Sequence, residues 1–205
     1  PSGHRVVVAE FGETSLDAIE HHTSLVPMEA PDPAALAADE VIVAVRSASV
    51  GWVDLLMTSG QYQHMAKPPY TPGLECAGEV VAAGESAAGS FPVGERVLVD
   101  GFLAGPRSLG RYQSQGGFAS YVVVPQVAVH RIPGTLDFDQ ACNLLGNYET
   151  AYHCLIARGR LAKGETVLIH GASGSTGLAA VHIAKLLGAR VIATGRSDAK
   201  LAIVQ

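Results

Sequence analysis

Glu165-Thr-Val-Leu-Ile-His170-Gly171-Ala-Ser-Gly174-Ser-Thr-Gly177, followed by Leu178 to Leu187, Gly188 and Arg190 to Thr194, is the stretch that decides the fold. Val167, Leu168 and Ile169 are continuously apolar, as suits a parallel strand covered on both faces. Leu178 to Leu187 reads as a helix that is apolar almost all round and closed by Gly188, and Arg190 to Thr194 as a second buried strand. The unit is strand, helix, strand, with a glycine turn where the first strand hands over to the helix. Glycine at 174 lets the backbone approach a pyrophosphate, and glycine at 177 lets helix and strand pack closely. The helix N-terminus near Ser175 offers unpaired N–H groups to an anion. Gly171, Ala172, Ser173, Gly174, Ser175, Thr176 and Gly177 are therefore the candidate cradle of a dinucleotide, the alternative being a tight structural turn. No Lys-Ser/Thr pair follows the glycines, which excludes a P-loop nucleotide site.

A site for NAD carries Asp or Glu at the end of the second strand, about 20 residues after the glycines begin. Here that place holds Thr194-Gly195-Arg196-Ser197. Arg196, a fixed cation with a fork of donors, suits a 2′-phosphate, and Lys200 one helical turn on supplies a second charge. Gly195, Arg196, Ser197 and Lys200 thus join the candidate cofactor residues, and NADPH is predicted over NADH. The competing readings are a solvated loop cation at Arg196 and a solvated helix face at Lys200. Asp198 is either a ribose partner, which would reverse the preference, or a helix-start residue beside an N-capping Ser197.

Upstream, the texture is that of a coiled all-β domain. The best strands are Val6 to Ala9, Glu40 to Val45, Gly78 to Ala82, Arg96 to Val99 and Ala119 to Val124. Turn signals at Gly84 and Gly94 suggest positive φ, and Gly101 to Gly117 reads as a long loop. Asp137 to Gly146 and Asn147 to Ile156 have helical spacing. The predicted division is residues 1–132 and residues 133–205. Two parallel strands and one helix leave sheet edges and a face open, so the second domain is expected to be incomplete.

The 205 residues are 48% hydrophobic and 16% charged with a net charge of -5, which excludes a disordered segment and argues against nucleic-acid or membrane-surface binding. No apolar run reaches the roughly 18 residues of a membrane span. Cys76, Cys142 and Cys154 fit neither a disulfide framework nor a zinc ribbon, so reduced thiols and a cytoplasmic location are expected.

Several blocks in order resemble the medium-chain dehydrogenase/reductase superfamily, and within it the zinc-independent, zeta-crystallin-like quinone oxidoreductases. They are Asp54 to Tyr62, Pro72-Gly73-Leu-Glu75-Cys-Ala-Gly78-Glu-Val80 with Gly84, and Val93-Gly94-Glu-Arg96-Val97. Gly116-Gly117-Phe-Ala-Ser-Tyr121, Thr150-Ala-Tyr152, and the glycine turn with Thr194 to Lys200 follow. The resemblance implies an α+β and α/β chain: a GroES-like β-barrel catalytic domain, then an apparently truncated Rossmann domain, with the active site in the cleft between them. It adds Thr150 to the cofactor residues and implies a homodimer for the full-length protein.

Zinc-dependent relatives carry ligands where this chain has Gly51-Trp52-Val53-Asp54, Leu74 and Gly146, so no metal is expected. The chemistry then rests on the nicotinamide, and hydride transfer to a quinone or other α,β-unsaturated carbonyl is implied. Tyr62 resembles the substrate-cleft tyrosine and is a candidate donor, or else an amphipathic packing residue. Asp54 is a candidate catalytic residue near the cleft, or else a brace for the helix after Val50. Glycine at 51 replaces the family's usual Asn and removes an amide from the cleft. A non-catalytic, crystallin-like NADPH-binding protein or inactive fragment is the alternative function.

Overall fold

Strand β1 (Gly3–Val8) pairs antiparallel with β2 (Thr23–Met28), and helix α1 (Ser15–His21) fills the connection, its N-terminus capped where the Thr14 hydroxyl accepts from the Asp17 amide. The structure is a computed structural model and describes residues 2–204. The first of its two compact units is Pro1–Asn143, the second Leu144–Gln205.

The first unit is built on β3 (Glu40–Ala48), α2 (Trp52–Thr58), β4 (Cys76–Ala83), β5 (Arg96–Val99), β6 (Tyr121–Pro125) and β7 (Val129–Arg131). The five strands form an antiparallel sheet in the order β6-β3-β4-β5-β7. Register shifts between Ile42 and Val43 and between Val45 and Ser47 curl it, because an extra residue on one strand bends the ladder. The curl closes over a core of Val41, Val43, Val80, Val97, Val122 and Val124. β-branched residues of this kind pack well on a pleated, half-buried surface.

Gly94 takes the expected positive φ, +89°, but Gly84 does not. What Gly84 supplies is clearance, since a Cβ there would stand 2.1 Å from the Ala37 carbonyl oxygen. Helix α3 (Phe138–Ala141) also belongs to this unit. The Arg96 guanidinium stacks 4.7 Å from the Phe138 ring centre and donates to the Leu136 carbonyl, and Ser47 Oγ lies 3.3 Å from Cys142 Sγ. Those contacts draw residues 133–143, assigned from sequence to the second domain, onto the first.

The long segment 101–117 has no regular element, as expected, yet it is firmly tied. Its anchor is Glu40, a buried carboxylate that accepts from the Tyr112 hydroxyl at 2.8 Å, from the Ala37 amide at 2.8 Å and from Arg111. From there the segment grips residues 71–73: the Thr71 amide donates to the Ser114 carbonyl, Gly117 to Gly73, and Phe118 to Pro72.

The second unit begins with α4 (Leu145–Tyr152), which passes into a π-helical segment, His153–Arg158. Asp137 to Gly146 is therefore no continuous helix: the chain breaks between α3 and α4. β8 (Thr166–His170) and β9 (Arg190–Thr194) pair in parallel around α5 (Ser175–Leu186), and α6 (Asp198–Leu201) follows. Val167, Ile169, Val191 and Ala193 pack with Ala151, Ala179, Ala180 and Val181. Leu168 and Ile192, paired across the two strands, lie exposed on the other face. Each strand is thus covered on one face, not on both, because the helices packed against the sheet approach it from the side of Val167 and Ile169.

Removing the Glu40 carboxylate leaves the Ala37 amide and the Tyr112 hydroxyl without their acceptor. Glu40→Ala is expected to cost about 2–4 kcal/mol in urea unfolding and to speed amide exchange across residues 105–117. Unchanged exchange there would show that the segment is held without Glu40.

Candidate functional site

The glycine turn is shaped by three constraints in the second unit. Gly171 adopts φ +66°, a left-handed conformation that favours glycine, and its carbonyl accepts from the Gly174 amide at 2.9 Å. The Ala172 amide donates to the Thr194 carbonyl at 3.0 Å and ties the turn to the end of β9. At Gly177 a Cβ would stand 2.4 Å from the Gly171 carbonyl oxygen and 2.8 Å from Ala172 Cα, so any side chain there would push α5 off the turn.

Gly174 is the N-cap of α5 and has no side chain with which to cap it. The first paired amide of the helix is that of Leu178, donating to the Gly174 carbonyl at 2.8 Å. The amides of Ser175, Thr176 and Gly177 are therefore left pointing outward at the positive end of a twelve-residue helix. A Cβ at Gly174 would meet nothing nearer than the Gly171 oxygen at 3.3 Å, which leaves the approach open. Uncapped amides, clearance for backbone approach and an exposed turn are the features a pyrophosphate needs.

At the end of β9, Arg196 and Lys200 are exposed and neither forms an ion pair among the described residues. Ser197 caps α6, its hydroxyl accepting from the Lys200 amide at 3.4 Å, and Asp198 opens that helix. Gly195 is exposed between them. Thr150 lies on α4 with its hydroxyl donating to the Gly146 carbonyl at 2.6 Å.

Two polar contacts here were not foreseen. Thr176 Oγ1 donates to Asn147 Oδ1 at 3.1 Å, joining the starts of α4 and α5, and His170 Nδ1 lies 2.8 Å from Thr194 Oγ1 across the strand ends. The position of His170 at the polar end of an apolar strand was the only signal for the second. Nothing in the sequence pairs residues 147 and 176.

In the first unit Asp54 is 4% exposed. Its Oδ2 accepts from the Gly51 amide at 2.9 Å, and its Oδ1 from the amides of Gly73 at 3.2 Å and Leu74 at 3.0 Å. Burial pushes the carboxyl above its ordinary value, against the pull of those three amides, with the Glu75 charge adding to the rise. Asp54 thus fixes the start of α2 to the 73–74 backbone, the arrangement of a brace.

Tyr62 is half-buried beyond the end of α2, and its hydroxyl makes no hydrogen bond among the described residues. Gly51 and Leu74 offer no donor side chain, and among the described residues no three His, Cys, Asp or Glu side chains cluster as a metal site would require. Cys76 is fully buried in the sheet core, which pushes its thiol up to about 12, and Cys142 is raised as well. Cys154 is exposed on the π-helical segment. No helix among the described residues is long and apolar enough to cross a membrane.

Residues 37–134 match the alcohol dehydrogenase GroES-like domain. The quinone oxidoreductase-like protein 2 homolog of Nematostella vectensis is 40% identical over 171 residues, 83% of this chain and 43% of the relative. A probable oxidoreductase from Mycobacterium abscessus superposes with a TM-score of 0.81 at 32% identity, covering 100% of this chain and 59% of its own. The quinone oxidoreductase of Thermus thermophilus, solved alone and in complex with NADPH, superposes with a TM-score of 0.76 at 27% identity over 98% of this chain and 56% of its own. The chain spans about half the length of the curated relatives it matches. With a GroES-like domain, a curled antiparallel sheet, and a glycine turn leading from a parallel strand into a helix, the chain belongs to the medium-chain dehydrogenase/reductase superfamily, in its quinone oxidoreductase group.

Proposed function

We propose that this protein is an NADPH-dependent, metal-free reductase of quinones or other α,β-unsaturated carbonyls. The observation that carries the reading is the uncapped start of α5 over a glycine turn, with Arg196 and Lys200 at the strand end and no carboxylate at positions 194–197. In this reading the amides of Ser175, Thr176 and Gly177 hold the pyrophosphate, and Arg196 and Lys200 meet the 2′-phosphate. Thr150 would lie along the same nucleotide. The complex of the Thermus relative with NADPH supports the choice of cofactor.

When bound, the nicotinamide supplies a hydride, so that a quinone gains two electrons and, with one further proton from solvent or a donor, leaves as the hydroquinone. Tyr62 is the donor assigned to the substrate oxygen, because its hydroxyl is uncommitted and developing negative charge there calls for a hydrogen bond. Asp54, its oxygens committed to backbone, acts as a positioning residue that holds α2. Three cysteines without a disulfide suit a reducing compartment, and we place the protein in the cytoplasm.

Replacing Arg196 by Ala is expected to weaken NADPH about tenfold or more and to leave NADH unchanged, the loss of one charge-assisted bond worth ~1.5–3 kcal/mol. Calorimetric titration with both cofactors reads this directly, and equal binding before and after the change would remove the 2′-phosphate assignment. NADPH consumption on adding a quinone separates turnover from mere binding. Elemental analysis after extensive dialysis is expected to find no stoichiometric zinc.

For Asp54 the sign of the pH effect follows from a folded-state pKa raised above the ordinary 3.8. The native state then holds the proton more tightly, so stability from this group is fully present below pH 3.8 and is lost as pH rises through the raised value. Urea unfolding of wild type and Asp54→Asn from pH 3.5 to 7 should give a wild-type advantage that shrinks with rising pH. An advantage that grows instead would mean that the three amides outweigh burial.

A further inference from the structure

We propose that Trp52 is the seat for the ring of a flat, ring-conjugated carbonyl substrate, selecting quinones over small acyclic enones; this rests on the reductase reading above. Trp52 is the chain's one tryptophan and the first residue of α2, and its side chain is 82% exposed. Val50 beside it is 75% exposed. Between them Gly51 presents no side chain, and a Cβ there would meet only Asp54 Oδ2 at 3.4 Å. The result is an exposed apolar stretch in which an indole and an isopropyl group are separated in sequence by a residue without a side chain.

This stretch stands on a rigid post. Asp54, Met57 and Thr58 of α2 are buried, and the three amides on the Asp54 carboxylate fix the helix start two residues from the indole. An aromatic ring placed in this way needs little further ordering when a ligand stacks on it. The electron-rich indole face complements the electron-poor ring of a quinone, whereas a short acyclic enone covers too little of it to gain much.

The patch is also small. A tryptophan and a valine together expose on the order of 250–300 Å², against roughly 800 Å² per partner for a stable protein interface, so a small molecule is the occupant of matching size.

The test uses 9,10-phenanthrenequinone, whose fused rings leave no open position for conjugate addition of a thiol, with Cys154→Ser as the background for wild type and variants alike. Without NADPH, and with inner-filter correction, titration should quench the single tryptophan saturably at constant fluorescence lifetime. By calorimetry Trp52→Phe should bind within about twofold of wild type and Trp52→Ala about tenfold more weakly. In turnover, Trp52→Ala should raise KM for this quinone about tenfold and leave KM for methyl vinyl ketone unchanged.

Linear, purely collisional quenching, or a Trp52→Ala variant equal to wild type, would overturn the assignment. So would a blue shift of the emission on raising protein concentration without ligand, which would give the face to a second copy of the chain. Saturable quenching with no NADPH consumption for either substrate would overturn the reductase reading and leave the seat at Trp52 standing.

Discussion

Everything in the second unit depends on the distance between the Gly177 backbone and the Gly171 carbonyl. A helix can begin directly above the end of a strand only if no side chain stands between them, and a Cβ at 177 would sit 2.4 Å from that oxygen. With the clearance kept, α5 starts immediately after the turn, its first three amides stay unpaired, and Val181 and Ala180 reach down to Ile169 and Val191. The unpaired amides at the start of α5 and the packing of its core face therefore share one cause. A larger residue at 177 would damage both at once.

The first unit solves a related problem with buried carboxylates. Glu40 and Asp54 are both almost wholly removed from solvent, and each is surrounded by donors from segments far away in sequence. Glu40 holds the segment 101–117, which grips residues 71–73 through backbone bonds, and Asp54 holds residues 73 and 74 from the other direction. The stretch 71–74 is thereby clamped between two acidic anchors without belonging to any strand or helix. Desolvating two carboxylates is costly, and it is offset only because each is met by several hydrogen bonds.

How much of this could be read from the sequence varied with the kind of feature. β3 to β6, β8, β9 and α5 were legible because they are predominantly apolar and flanked by turn residues. β2 escaped notice because Leu25 is exposed and Pro27 sits in the strand, as only an edge position allows, and β7 because it is three residues long. The glycine turn was readable because Gly171 answers a conformational demand and Gly177 a steric one. The committed state of Asp54 was not, because two of its three partners lie 19 and 20 residues away and donate from the backbone, where side-chain identity leaves no trace. The transfer of residues 133–143 to the first unit was hidden for a similar reason: it rests on Arg96 finding Phe138 and on Ser47 finding Cys142.

The placement of the three sulfurs bears on survival among electrophiles. Conjugated carbonyls alkylate thiolates, not thiols. Burial pushes the Cys76 thiol up to about 12, which disfavours its thiolate at neutral pH, and the residue is in addition enclosed by the sheet core. Cys142 is raised and buried too. Damage from an electrophile is thereby steered to Cys154, on a π-helical surface segment outside both the clamp and the glycine turn. An adduct there would leave the curled sheet intact, so the fold carries its own tolerance to alkylation.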